Sequence, residues 1–183
     1  MYGMVNKAVE DLVCEKFGED KWEEIKEKAG VDVDIFLSNE SYDDNVTYSL
    51  VGAATEVLGI PADQILFAFG EYWVLKTATK GYGDLMDAAG TDLFEFLENL
   101  PNFHTRVAMI FPKLEPPRFE VLERTPDSMR VGYYTHRDGL APFVVGLLSG
   151  LSQRFNQKAQ TSHTVKRSEG ADHDEFVIEL VSP

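Results

Sequence analysis

Pro112-Lys113-Leu114-Glu115-Pro116-Pro117 divides the chain into two regimes. Each proline fixes φ at about −65° and lacks an N–H, so neither a helix nor a central strand runs through this segment. Before it, apolar residues recur every three or four positions; after it, they alternate. The segment therefore reads as a stiff linker, with helices on its N-terminal side and a sheet on its C-terminal side.

Upstream of the linker, Val5, Ala8, Val9, Leu12 and Val13 make one face of a first helix, which Gly18 ends. A short helix over 20–28 stops at Gly30, and residues 31–43 read as loop. A helix over 44–58 is closed by Gly59. Pro61 opens a longer one at the favoured first position, running through Trp73 to Lys76. Gly81-Tyr82-Gly83 separates it from a short helix ending near Gly90. Asp92 caps the next helix, which Pro101 either kinks or ends; a new start at Pro101 is favoured and puts His104 in an opening turn.

Downstream, strands are expected over 118–124 and 128–135 around a Pro126-Asp127 turn. Pro142 starts a helix to about residue 157, and strands over 158–167 and 174–181 follow. The fold class is α+β: an N-terminal helical subdomain, then an antiparallel meander with one inserted helix, in a single domain over 1–183.

Composition narrows the function. With 44% hydrophobic and 11% aromatic residues, 183 residues suffice for a sizeable core. A net charge of −14 argues against nucleic acid and against anionic membrane surfaces. The single cysteine, Cys14, rules out an intrachain disulfide and a cysteine-based zinc site; it reads as a structural thiol or a redox handle. No run approaches the roughly 20 apolar residues of a membrane span, and no secretory leader is visible, so a soluble cytoplasmic protein is the default.

Tyr133, Thr135 and Arg137 alternate, which on a strand puts two hydroxyls and a guanidinium on one face. That trio is either a grip for a carboxylate or phosphate, or the polar side of an amphipathic strand. Tyr134 and His136 then point the other way. On a helix, His104 has Leu100, Val107, Ala108 and Phe111 as neighbours. It is either a core histidine bonded to a carbonyl or a ligand to haem iron. Together the two features suggest haem buried between helices and sheet; a binding module for another apolar carboxylic acid would need Arg137 but not His104. An enzyme is disfavoured, because no Gly-x-Ser-x-Gly, His-Glu-x-x-His or phosphate-binding loop is present.

The sequence resembles the haem nitric oxide/oxygen-binding (H-NOX) domains, the family of the haem sensor in soluble guanylate cyclase. The likeness rests on Met-Tyr-Gly-Met-Val-Asn at 1–6, Phe-Gly-Glu-Tyr-Trp at 69–73 and Asn-Phe-His-Thr-Arg-Val at 102–107. It continues through Phe-Pro-x-Leu-x-Pro-Pro at 111–117, Gly-Leu-Ala-Pro at 139–142 and Glu-Gly-Ala-Asp-His-Asp at 169–174. It is colinear over essentially the whole chain.

The resemblance implies haem b, with His104 as the axial iron ligand. The family's Tyr-x-Ser-x-Arg propionate motif reads Tyr133-x-Thr135-x-Arg137 here, and threonine keeps the hydroxyl. Pro117 is then the proline that presses on the haem, and Val5 packs on it from the first helix. Oxygen-binding members carry a distal tyrosine where this chain has Phe143, with Leu147 one turn on. The expectation is therefore binding of nitric oxide and carbon monoxide with oxygen disfavoured, unless the Trp73 indole supplies a distal donor. Weakening of the His104 bond would shift its helix. No output domain follows before Pro183, so a separate partner, such as a histidine kinase or a diguanylate cyclase, is expected to read that shift; an excised domain fits equally.

Overall fold

The computed structural model describes residues 1–181, so the last two positions of the expected domain lie outside the described residues. Helix α1 (Gly3–Phe17) ends at Gly18, whose φ of 91° suits glycine. Helices α2 (Glu19–Ala29) and α3 (Asp44–Leu58) both close on left-handed glycines, Gly30 and Gly59. The Asp43 carboxylate caps α3 by accepting the Asn45 N–H at 2.8 Å.

Several features differ from the sequence expectation. Pro61 sits just before α4 (Ala62–Tyr72), not inside it. Beyond α4 the helical path widens into a π-helical stretch, Trp73–Ala78, and continues as α5 (Thr79–Asp87). There it reaches the expected break at 81–83, where Tyr82 leaves helical geometry (φ −139°, ψ 20°). Arg154 bridges the kink: its guanidinium donates to Thr79 Oγ1 at 2.8 Å and Asp87 Oδ1 at 2.6 Å. Those bonds tie both ends of a glycine-weakened segment to one side chain.

Pro101 does not start a helix. It lies inside α6 (Leu93–Ile110), which places His104 in mid-helix. The proline costs α6 the bond that would reach the Leu97 carbonyl. Burial on the N-terminal side outweighs this, with Leu93, Phe94, Phe96, Leu97 and Leu100 all in the core.

The sheet is antiparallel: β1 (Arg118–Arg124), β2 (Ser128–Tyr134), β3 (Ala159–Val165) and β4 (Asp174–Leu180). Helix α7 (Ala141–Arg154) is inserted between β2 and β3. The neighbour order is β1-β2-β4-β3, which departs from a simple meander because β4 returns between β2 and β3.

Two large hydrophobic cores result, beside a smaller cluster of Tyr2, Val107 and Phe111. One joins α6, α7 and the sheet around Phe96, Met129 and Phe176; the other joins α1 to α4 around Ile25 and Leu50. Trp73 packs against both. The cores meet where α4 crosses α7 with backbones in contact. A Cβ on Gly70 would strike the Phe143 carbonyl, and one on Gly146 would strike the Phe67 carbonyl. We expect Gly146→Ala to lower unfolding stability by about 1–3 kcal/mol, read as a reduced urea midpoint at unchanged slope. A wild-type midpoint would refute the close crossing.

Candidate functional site

Between the two cores lies a cavity of about 1100 Å³, with walls from α1, α3, α4, α6, α7, the linker and the start of the sheet. That is at the upper end of small-molecule sites, which run to about 1,000 Å³. Val5, Trp73, His104, Pro117, Tyr133, Arg137, Phe143 and Leu147 all line it.

His104 occupies the α6 wall, with Phe103 and Phe119 rings 6.0 and 6.2 Å from its own. Burial pushes its pKa down to about 4, so the imidazole is neutral near pH 7. Neither ring nitrogen forms a hydrogen bond among the described residues. The carbonyl partner of a satisfied core histidine is therefore missing, and a lone pair is available to a ligand.

Arg137 stands at the mouth of the cavity. The expected strand face does not carry it, because β2 ends at Tyr134 and Thr135–Arg137 lie in the following loop. Thr135 Oγ1 accepts the Arg137 N–H at 3.1 Å, so the hydroxyl shapes the loop and its side chain does not line the cavity. Tyr133 does, from the buried end of β2. Burial pushes its hydroxyl up to about 12, against the opposing pull of Thr135 and Arg137. Tyr134 points away, stacked on His173 at 4.4 Å, whereas His136 turns into the cavity.

The Arg137 Nε donates to Asp44 Oδ2 at 2.7 Å and Nη1 to the Glu115 carbonyl at 3.2 Å. Nη2 makes no hydrogen bond among the described residues. Asp44 also accepts from the Met1 ammonium at 2.5 Å. Its burial would raise its pKa, but these two cations hold it below the ordinary carboxylate value. Asp44 is a site residue that sequence patterning misses, being 93 positions from its partner.

The opposite wall is apolar. Phe69 stacks against Phe143 at 5.0 Å and edge-on to Trp73 at 6.2 Å. The Trp73 N–H has no partner among the described residues. The linker forms the rim; Tyr2 Oη accepts the Lys113 N–H at 2.9 Å, and Arg137 holds the Glu115 carbonyl, so Pro116 and Pro117 are fixed against the cavity. Cys14 lies elsewhere, half-buried, its thiol pushed up by burial and by Glu10 and Glu19.

A family model described as haem-NO-binding matches residues 2–163. The chain belongs to the haem-NO-binding family. An H-NOX protein from S. oneidensis, solved in the Fe(II)NO ligation state, has the same fold at a TM-score of 0.90 and 26% identity, over all of both chains. An unliganded Fe(II) H-NOX protein from K. algicida matches at 0.88 and 23% identity over 100% of this chain and 98% of its own, which speaks to the fold. Soluble guanylate cyclase gcy-35 of Caenorhabditis elegans is 29% identical over 99% of this chain. The chain spans about a quarter of the length of the curated relatives it matches (22% and 27% for two of them). Domains of this family are sensor modules rather than catalysts.

The haem-NO-binding domain's cavity suits such a group chemically. Haem is a flat apolar disc with two carboxylates. The cavity offers apolar walls, spare guanidinium donors at its mouth and a buried imidazole without a partner.

The histidine also makes a pH prediction for the haem-free protein. The folded pKa of about 4 lies below the unfolded value of 6.5, so the unfolded chain binds the extra proton between them. This contribution is present above pH 6.5 and lost as pH falls to 4. It amounts to about 3 kcal/mol. His104→Leu should flatten that part of the stability-against-pH curve from urea titrations. An unchanged curve would mean that the imidazole is not buried.

Proposed function

We propose that residues 1–183 act as one haem-based gas-sensing domain, cytoplasmic, that takes nitric oxide and carbon monoxide and disfavours oxygen. The observation that carries this is the buried, partnerless His104 imidazole facing a cavity whose mouth is held by Arg137. Family membership supports it. When bound, haem b would supply a ferrous iron able to bind a diatomic gas, with His104 as the residue that would hold it.

His104 is assigned as the axial ligand. Its depressed pKa keeps the nitrogen lone pair unprotonated at cellular pH. Arg137 and Tyr133 are assigned to the propionates, with Arg137 providing the charge, and Thr135 to holding the Arg137 loop. Val5 and Pro117 are assigned to apolar packing against the disc.

Trp73, Phe143 and Leu147 form the wall assigned to the gas side. Oxygen gains more from a hydrogen-bond donor there than nitric oxide does, and Phe143 offers none. The unpaired Trp73 N–H favours one second reading, in which the indole restores part of the oxygen affinity.

Signalling follows from how α6 is built. Its N-terminal half is locked in the sheet core, while Met109 and Ile110 at its other end are 80% and 62% exposed. His104 lies between the clamped half and this free end, so a change in what the imidazole binds would be expected to shift that end about Pro101. A separate partner, such as a histidine kinase or a diguanylate cyclase, reads the displacement by binding one position more tightly than the other.

Two variants test the assignments. His104→Gly should abolish the imidazole-ligated ferrous absorption spectrum; an unchanged spectrum and unchanged gas binding would sink the axial-ligand role. Phe143→Tyr should raise oxygen affinity by about 10- to 150-fold, the worth of one charge-assisted hydrogen bond. No gain would mean that Phe143 does not face the gas. Failure of the wild type to take up haem at all would favour the apolar-carboxylate module instead.

A further inference from the structure

Past Tyr134 the chain leaves the sheet ladder, so the carbonyls of the loop carrying Arg137 need donors from elsewhere. Two donors meet them. Arg167 Nη1 donates to the Arg137 carbonyl at 3.0 Å, and Tyr48 Oη donates to the Asp138 carbonyl at 3.1 Å. Consecutive peptides are thus held from opposite sides, one from the β3–β4 connection and one from α3.

Arg167 is itself anchored. Its N–H donates at 3.0 Å to Asp174 Oδ1, a buried carboxylate on β4 that also takes His163 Nε2 at 2.8 Å. His163 stacks at 4.7 Å on Phe176, which is wholly buried. Asp174 is the cross-strand partner of Tyr133. A continuous path therefore runs from the sheet core through Asp174 and Arg167 to the main chain of Arg137. The Arg167–Asp138 ion pair at 3.1 Å adds little, because Asp138 is 90% exposed.

We propose that Arg167, seated on Asp174, is a positioning residue for Arg137. It holds the loop so that the Arg137 guanidinium faces the cavity mouth, and it thereby sets how firmly a ligand's carboxylates are retained. This rests on Arg137 being the carboxylate grip. Arg167 touches no ligand and acts only through the Arg137 carbonyl.

The test is the rate of haem loss from the holoprotein to an excess of apomyoglobin. Arg167→Met keeps length and packing but has no donor. It should speed haem loss by about three- to tenfold, part of the worth of one guanidinium hydrogen bond because Arg167 acts only through the loop. Arg137→Gln should speed it at least as much, and adding Arg167→Met to Arg137→Gln should add nothing further. Arg167→Lys, which keeps one donor, should restore most of the wild-type rate. The urea midpoint of the haem-free Arg167→Met protein should match wild type, separating loop aiming from general stability.

A wild-type rate for Arg167→Met beside a fast Arg137→Gln overturns the positioning role and leaves the grip standing. Multiplicative effects in the double variant, or a lowered urea midpoint accounting for the faster loss, also overturn it. A wild-type rate for Arg137→Gln overturns the grip and this proposal together.

Discussion

The contact on which the rest depends is the backbone crossing of α4 and α7. Gly70 and Gly146 each leave room for a carbonyl of the other helix, and no side chain stands between them. Packing this close removes the slack that an interposed side-chain layer would allow. Glu71 adds a polar bolt alongside, accepting from Ser149 Oγ and Gln153 Nε2 at 2.7 Å each. Because Phe69, Trp73, Phe143 and Leu147 all ride on these two helices or the π-helical stretch beyond, the crossing sets the shape of one cavity wall.

The other side is closed by charge. Asp44 at the start of α3 joins Arg137 from the sheet side, and Tyr48 on the same helix reaches the next peptide. Non-directional packing thus joins helices and sheet along one edge of the cavity, and a few directional bonds join them along the other. The first resists being opened by small forces. The second can exchange partners, since a guanidinium has several donors and a ligand carboxylate competes for them on equal terms.

Much of this was readable beforehand, for specific reasons. The ends of α1, α2 and α3 are marked by glycines at 18, 30 and 59 that take positive φ, and local chemistry decides them. His104 was readable because an imidazole inside an apolar helical stripe stands out. Pro101 misled because a proline's cost is local while the burial that overrides it is tertiary. The 81–83 break was legible from its two glycines, whereas the Arg154 bonds that bridge it were not, coming from some seventy positions away. The alternation of Tyr133, Thr135 and Arg137 assumed a strand that ends too early; Tyr133 and Arg137 line one cavity, and Thr135 acts on the loop instead. Asp44, His136 and Tyr48 carried no local signal at all.

The proline inside α6 has a mechanical meaning. A helix resists bending because each turn is stitched to the next, and α6 lacks one stitch, at Leu97. Compliance is therefore concentrated at a single point, one turn before the buried imidazole. The half before that point is clamped among aromatic residues; beyond it, among the helix residues themselves, only Val107 is fully buried. Thermal fluctuation in such a rod collects in its loosely held arm, so the elastic energy needed to deflect that arm is small beside the energy holding the domain together.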